Sequence, residues 1–242
     1  MSVTKSVWSA PGFGAYLGST GFSGMALAMQ QLLLSWILIG ILNLPADQVG
    51  VIQALIGIPG IVLMLMGGAS ADRTDARRLL AQIYLIAPIF PVFLLLMEQW
   101  QWLGVTTVTL WGLGMSVVQS YSMPGQQAIL NRVSGTLVQQ GVTIATAIGY
   151  VVQVVGLGLA GQIDRLGITP VLIMQALSLL MAGIMMLRIM PMPVTQASTA
   201  SVSALRGIAD GLRATYRSPV IFDALLINFV SSIFNAGSFV TA

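Results

Sequence analysis

The chain of 242 residues is 56% hydrophobic and only 7% charged, with a formal net charge of +3 and a mean hydropathy of +0.90. Soluble domains carry about 25% charged residues, so this chain lacks the polar surface that a water-soluble fold needs. Its apolar runs are long and uniform rather than alternating, which favours an all-α integral membrane protein over a β-barrel.

Histidine and cysteine are both absent from the sequence. Their absence removes disulfides, imidazole and thiolate metal sites, and every nucleophile that depends on a Ser-His or Cys-His pair. We therefore expect no enzyme activity, no bound metal and no cofactor. The small positive charge gives no reason to expect a nucleic-acid partner.

Seven segments have the length of about 20 residues at which a helix crosses a bilayer. Their predicted bounds are 13–44, 48–71, 78–97, 103–123 (closed by Pro124), 137–162, 169–190, and 220 to the last residue, 242. This pattern predicts three parts: a six-helix transmembrane bundle over 1–190, a central loop over 191–219, and the start of a seventh helix over 220–242.

Apolar residues recur at spacings of three and four within the central loop: Val202, Leu205, Ile208, Leu212 and Tyr216. This spacing predicts a short amphipathic helix that lies on the inner membrane surface. A mobile linker with some helical propensity is the alternative.

The hinge between the second and third segments, residues 67–80, carries five of the seventeen charged residues (ten Lys and Arg plus seven Asp and Glu). These five are Asp72, Arg73, Asp75, Arg77 and Arg78. Asp72 follows a helix whose C-terminal dipole disfavours a carboxylate, so it needs basic partners. Asp75 precedes the next helix, and we expect it mainly to cap that helix.

Basic residues fall almost entirely on one side of the predicted topology. With a cytoplasmic N-terminus, nine lie inside and only Arg165 lies outside; the inner nine are Lys5, Arg73, Arg77, Arg78, Arg132, Arg188, Arg206, Arg213 and Arg217. This positive-inside bias predicts a multi-pass protein of a bacterial inner (plasma) membrane, with the hinge and the central loop in the cytoplasm.

The hinge resembles the signature that the major facilitator superfamily carries between its second and third helices. Gly68 is followed by three residues, then Asp72-Arg73, a short turn and Arg77-Arg78. Asp75, Pro124 and the stretch 207–219 are similar to the transmembrane secretion-effector branch, which includes enterobactin exporters. Ala76 departs from that branch, where a basic residue is usual.

The resemblance implies the major facilitator fold, with twelve helices in two six-helix halves, so a C-terminal half is expected to complete this chain. It also implies that the cytoplasmic loop is a conformational latch. Asp72 would pair there with basic residues and with a helix end of the other half; the latch residues are Gly68, Asp72, Arg73, Arg77 and Arg78. Alternatively, the arginines only set the topology.

No charged residue lies within the predicted membrane interior, so substrate contacts are expected from amides and hydroxyls. Polar residues follow helical spacing on the first, fourth and fifth segments, and such stripes either line a cavity or bond neighbouring helices. The candidate cavity residues are Gln30, Gln119, Thr143, Thr146, Tyr150 and Gln153. Gly156, Gly158 and Gly161 on the fifth segment are expected to allow close helix packing.

These patterns predict a secondary active transporter that moves a small amphipathic or hydrophobic molecule by alternating access, with efflux as the expected direction. Its partners would be the lipid bilayer, the small-molecule substrate and the missing C-terminal half. An importer of the same fold is one alternative. A non-transporting membrane scaffold or remnant is another, since six or seven helices alone form no alternating-access pair.

Overall fold

A computed structural model describes residues 7–73, 75–190 and 227, and leaves the side chains of residues 9, 61, 62 and 64–73 undescribed. The described part of residues 7–190 consists of helices joined by short connections and contains no strand, as the sequence predicted. The expected central loop and its amphipathic helix lie outside the described residues. So does the expected seventh helix, apart from Ile227.

Eight α-helices follow one another in the described chain. They are α1 (Phe13–Trp36), α2 (Ala46–Arg73), α3 (Ala76–Ile86), α4 (Ile89–Gln99), α5 (Val105–Ser134), α6 (Val138–Ala160), α7 (Ile163–Leu166) and α8 (Ile168–Leu187). A π-helical segment, Ile37–Ile41, extends α1, and short 3-10 turns lie at Val7–Ser9 and Gly135–Leu137.

Two prolines act differently from each other. Pro88 separates α3 from α4, within a segment that the sequence predicts as continuous, because proline has no backbone N–H with which to continue the helical hydrogen bonds. Pro124 lies inside α5, which runs on to Ser134. The predicted helix end at Pro124 is therefore wrong, and Asn131 and Arg132 are helical. Membrane helices tolerate such a proline when neighbouring groups satisfy the freed backbone.

Four stretches among the described residues are long and apolar enough to cross a membrane: Phe13–Ile41, Ala76–Gln99, Val105–Leu166 and Ile168–Leu187. The third of these contains α5, α6 and α7, which follow one another with only short turns between them. The protein is thus a multi-pass membrane protein.

The helices pack around α1, which lies against α6 on one side and α8 on another, while α2 packs on α5 and α3 packs on α8. Phe13, Met29, Leu33, Tyr84 and Trp111 are fully buried in the shared core. Outward-facing side chains on the same helices are also apolar, including Val51, Ile89, Leu110, Val154 and Leu177. An apolar outer surface of this extent is suited to contact with lipid.

Polar contacts join the helices at their ends. At one end, Trp36 Nε1 donates to Asp164 Oδ1 at 3.2 Å, and the Thr169 hydroxyl donates to Glu98 Oε2 at 3.0 Å. At the opposite end, Arg77 contacts the C-terminus of α8. The charged side chains that are described at these contacts lie outside the apolar middle of the bundle, as expected for a bilayer.

Candidate ligand cavity and hinge

A cavity of about 480 Å³ opens between α1, α2, α5 and α6. Its polar lining consists of Gln30, Gln31, Gln119, Thr146, Tyr150 and Gln153. Its apolar lining consists of Gly24, Leu27, Ala28, Leu34, Ile56 and Gly149. Five of the six candidate cavity residues from the sequence therefore meet at one place, although they come from three different helices.

Helical periodicity explains how α6 contributes three of these side chains. Thr146, Tyr150 and Gln153 are four and three residues apart, so they lie one above the other on a single face of the helix. Tyr150 is 66% exposed, which leaves its ring free to contact a ligand in the open part of the cavity.

Thr143, the sixth candidate, does not line this cavity. It lies one turn before Thr146 along α6, and its hydroxyl donates to the carbonyl oxygen of Gln139 at 2.9 Å. The polar stripe of α6 therefore reaches the cavity only in the half that starts at Thr146.

Gln31 is the polar lining residue that the sequence did not predict. It lies four residues after Leu27 and three before Leu34, both of which line the cavity. The face of α1 that it shares with them was available from the spacing. The cavity residues predicted from the sequence include Gln30 on α1 but not Gln31.

Most polar side chains of the lining make no hydrogen bond to another described residue. Within the part of the chain that the structure describes, the side chains of Gln30, Gln31, Gln119 and Gln153 have no hydrogen-bond partner. Each carboxamide offers two donors and an acceptor, so together they present a versatile hydrogen-bonding surface to whatever enters the cavity.

Other predicted polar stripes bond helices together instead. The Ser19 hydroxyl donates to the carbonyl oxygen of Ala182 on α8 at 2.8 Å. The Ser120 hydroxyl shares its hydrogen between the carbonyl oxygen of Ser116 in its own helix at 2.7 Å and that of Gly60 on α2 at 2.9 Å. Ser23 accepts from Gln126 Nε2 at 3.1 Å, and the same amide donates to the buried Tyr84 hydroxyl at 2.7 Å. Both readings of such stripes thus apply in this molecule, at different places.

The three predicted packing glycines have different surroundings. A Cβ on Gly156 would lie 2.8 Å from the Met25 carbonyl oxygen and 3.0 Å from Ala28 Cβ, so this glycine allows α6 to approach α1 closely. Among the described residues, no atom of a neighbouring helix lies within 4 Å of the same position at Gly158, and the atoms near Gly161 belong to its own helix. Of the three, the structure places only Gly156 at a helix–helix contact.

Asp75 caps α3, as the sequence predicted: its carboxylate accepts a hydrogen bond from the backbone N–H of Arg77 at 3.1 Å. Arg77 in turn reaches the end of α8. Its guanidinium donates to the carbonyl oxygens of Met186 at 3.4 Å and Leu187 at 2.5 Å. A cation at these carbonyls complements the negative end of the α8 dipole.

The other hinge residues are only partly described. Arg78 is exposed. Gly68, Asp72 and Arg73 lie in the last turns of α2, and the side chains of Asp72 and Arg73 are outside the description. The pairing expected for Asp72 therefore stays a prediction.

Comparison of the chain with models of known protein families, with curated proteins and with solved structures finds no match.

Proposed function

We propose that this protein is a secondary transporter of the major facilitator type that exports a small amphipathic molecule. The observation that supports this most is the convergence of Gln30, Gln119, Thr146, Tyr150 and Gln153 on one cavity among membrane helices. The side chains of these five residues bond no neighbouring helix within the described residues, so they do not serve to hold helices together there. Transporters commonly bind substrate between helices near the middle of the bilayer.

The cavity would form one wall of a binding site whose other wall comes from a second six-helix half. Gln119, Thr146, Tyr150 and Gln153 are all exposed, so side chains of a second half could approach the ligand from the open side. Rocking of the two halves about this site would give alternating access. The N-terminus and the hinge would face the cytoplasm, as the basic residues predict.

Asp72 would latch the cytoplasmic side in one of the two conformations. Because Arg77 is engaged by the carbonyl end of α8, Arg73 and Arg78 are the basic neighbours left to balance Asp72 within the hinge. Arg77 would instead hold α3 against α8, so that the hinge moves with the bundle.

Accumulation of amphipathic dyes in bacteria tests the function. Cells would express the complete reading frame that encodes this chain, and a chemically diverse panel would be measured at several external pH values. Efflux predicts lower accumulation of at least one compound. Higher accumulation would indicate an importer, and no change for any compound would favour a membrane scaffold.

Tyr150→Ala should reduce that flux by roughly tenfold, the effect of losing about 1.4 kcal/mol of contact with the substrate. Thr143→Val is the matched control, since Thr143 lies on the same helix but outside the cavity lining. Equal flux through Tyr150→Ala and the wild type, at equal membrane abundance, would remove the cavity from the proposal.

Asp72→Asn should abolish or strongly slow transport, because the latch needs the charge, while membrane insertion stays intact. Asp47→Asn at the other end of α2 serves as the control, since Asp47 lies in the first turn of that helix. Unchanged transport by Asp72→Asn would exclude the latch and leave the cavity proposal standing.

A further inference from the structure

The described residues that line the cavity include no Asp, Glu, Lys or Arg. Their polar groups are four carboxamides, the Thr146 hydroxyl and the Tyr150 phenol. A ligand held there would meet hydrogen-bond donors and acceptors but no counter-charge from these helices.

Gln30 provides the strongest sign that a polar ligand belongs in the cavity. The residue is only 8% exposed, and its carboxamide has no hydrogen-bond partner within the described residues. Its amide atoms are not among the fully buried unpaired atoms of those residues, which are Trp111 Nε1, Ser134 Oγ and Gln175 Oε1, so they are accessible from the cavity. Gln30 Nε2 and Oε1 are therefore suited to bond a group that enters from the cavity.

Apolar side chains complete the surroundings of this amide. Leu27 and Leu34 flank it along α1, and the nearly buried Ile56 faces it from α2. A molecule in contact with both sets of side chains needs an apolar body as well as hydrogen-bonding groups.

We propose that the ligand is uncharged: a compact molecule with an apolar body and a neutral hydrogen-bonding group, such as an amide or an alcohol, that bonds Gln30 and the α6 residues. This substrate class rests on the proposed transport function. An ionised ligand would lose hydration on entry and gain no opposite charge from the described lining in return, which disfavours it strongly.

Three probes of one shape and different charge test the proposal: naphthalene-2-carboxamide, naphthalene-2-carboxylate and naphthalen-2-ylmethylammonium. The whole chain would be reconstituted in lipid discs of zwitterionic phosphatidylcholine, and binding would be measured by equilibrium dialysis against empty discs. We expect the carboxamide to bind roughly tenfold tighter than either ion, after subtraction of the signal from empty discs.

Two variants separate a built site from simple partition into lipid. Gln30→Leu should weaken binding of the carboxamide by roughly tenfold, since it removes the buried amide. Gln153→Glu should raise the affinity for the ammonium probe by about tenfold, because it places a carboxylate in the cavity. Gln139→Glu lies on the same helix outside the lining and should change neither affinity.

The proposal is overturned if either ion binds the wild type as tightly as the carboxamide does, or if the carboxamide binds no better than to empty discs. It is also overturned if Gln153→Glu and Gln139→Glu shift the ammonium affinity equally. Selective binding of the carboxamide without flux in the cell assay would uphold the ligand class and remove the transport function. Flux in the cell assay together with preferred binding of an ion would uphold the transport function and remove the uncharged ligand class.

Discussion

The two sides of α1 use the same kinds of residue in opposite ways. On the side of α8, the Ser19 hydroxyl and the fully buried Gln175 amide each donate to a backbone carbonyl across the interface. On the side of α6, Gln30 and Gln153 bond nothing within the described residues. Hydrogen bonds therefore join α1 to α8, whereas a cavity lies between α1 and α6.

This difference shows that a polar residue in a membrane helix is not by itself a sign of a binding site. A carboxamide that already bonds a carbonyl across an interface has one of its two donors occupied, and it holds two helices together. A carboxamide that faces a cavity without a partner keeps its donors and acceptor for a ligand. The partner, more than the residue type, separates the two roles.

The largest expected effect on stability comes from substituting the glycine at which α6 packs against α1. Gly156→Ala places a methyl group against the Met25 backbone and Ala28 on α1, so we expect a loss of about 2 kcal/mol relative to the matched variant Gly158→Ala. The matched variant removes the same backbone freedom from α6 and meets open space, so it should be neutral or slightly stabilising.

Unfolding of both glycine variants in mixed detergent and SDS micelles, followed by tryptophan fluorescence, checks this difference. Gly156→Ala should also weaken ligand binding, since it moves α6 away from α1. Equal stability of the two alanine variants would show that the close approach of α6 to α1 is not important for the fold.

A smaller effect is expected from breaking the α8 side at its end. Arg77→Leu removes two charge-assisted hydrogen bonds to the last carbonyls of α8, and we expect it to cost about 1 kcal/mol. Arg78→Leu removes the same charge from the next position, where the side chain is exposed, and should cost less than Arg77→Leu does.

The same unfolding measurement compares the two arginine variants. Because both lose one positive charge from the hinge, any change in topology would affect them alike. A loss of stability in Arg78→Leu as large as that in Arg77→Leu would therefore point to insertion rather than to the contact with α8.

The smallest effect on stability is expected from removing a hydrogen bond between α1 and α8. Ser19→Ala removes the hydrogen bond to Ala182, and a single bond of this kind between membrane helices is worth about 0.6 kcal/mol. Ser178→Ala is the control, since the buried Ser178 hydroxyl donates to the Met174 carbonyl oxygen in its own helix. Equal destabilisation of both variants would mean that the measurement reports helix propensity rather than the hydrogen bond between α1 and α8.

Several features of the structure follow from short-range pattern and were predictable. Composition and the length of the apolar runs determine the all-α membrane class. The Asp75 cap depends only on residues two positions apart. The spacing of Thr146, Tyr150 and Gln153 determines that they share a face, because the helical repeat is the same wherever the helix lies.

Tertiary structure alone decided what each face meets. The sequence does not show that Thr143 bonds its own helix or that Gly158 has free space beside it. Nor does it show that Arg77 contacts residues more than 100 positions later, or that α5 continues beyond Pro124. Each depends on where a neighbouring helix crosses and how closely it approaches. The helical repeat determines which residues share a face of one helix. Packing between helices decides which face bonds a neighbouring helix and which face remains accessible to a ligand.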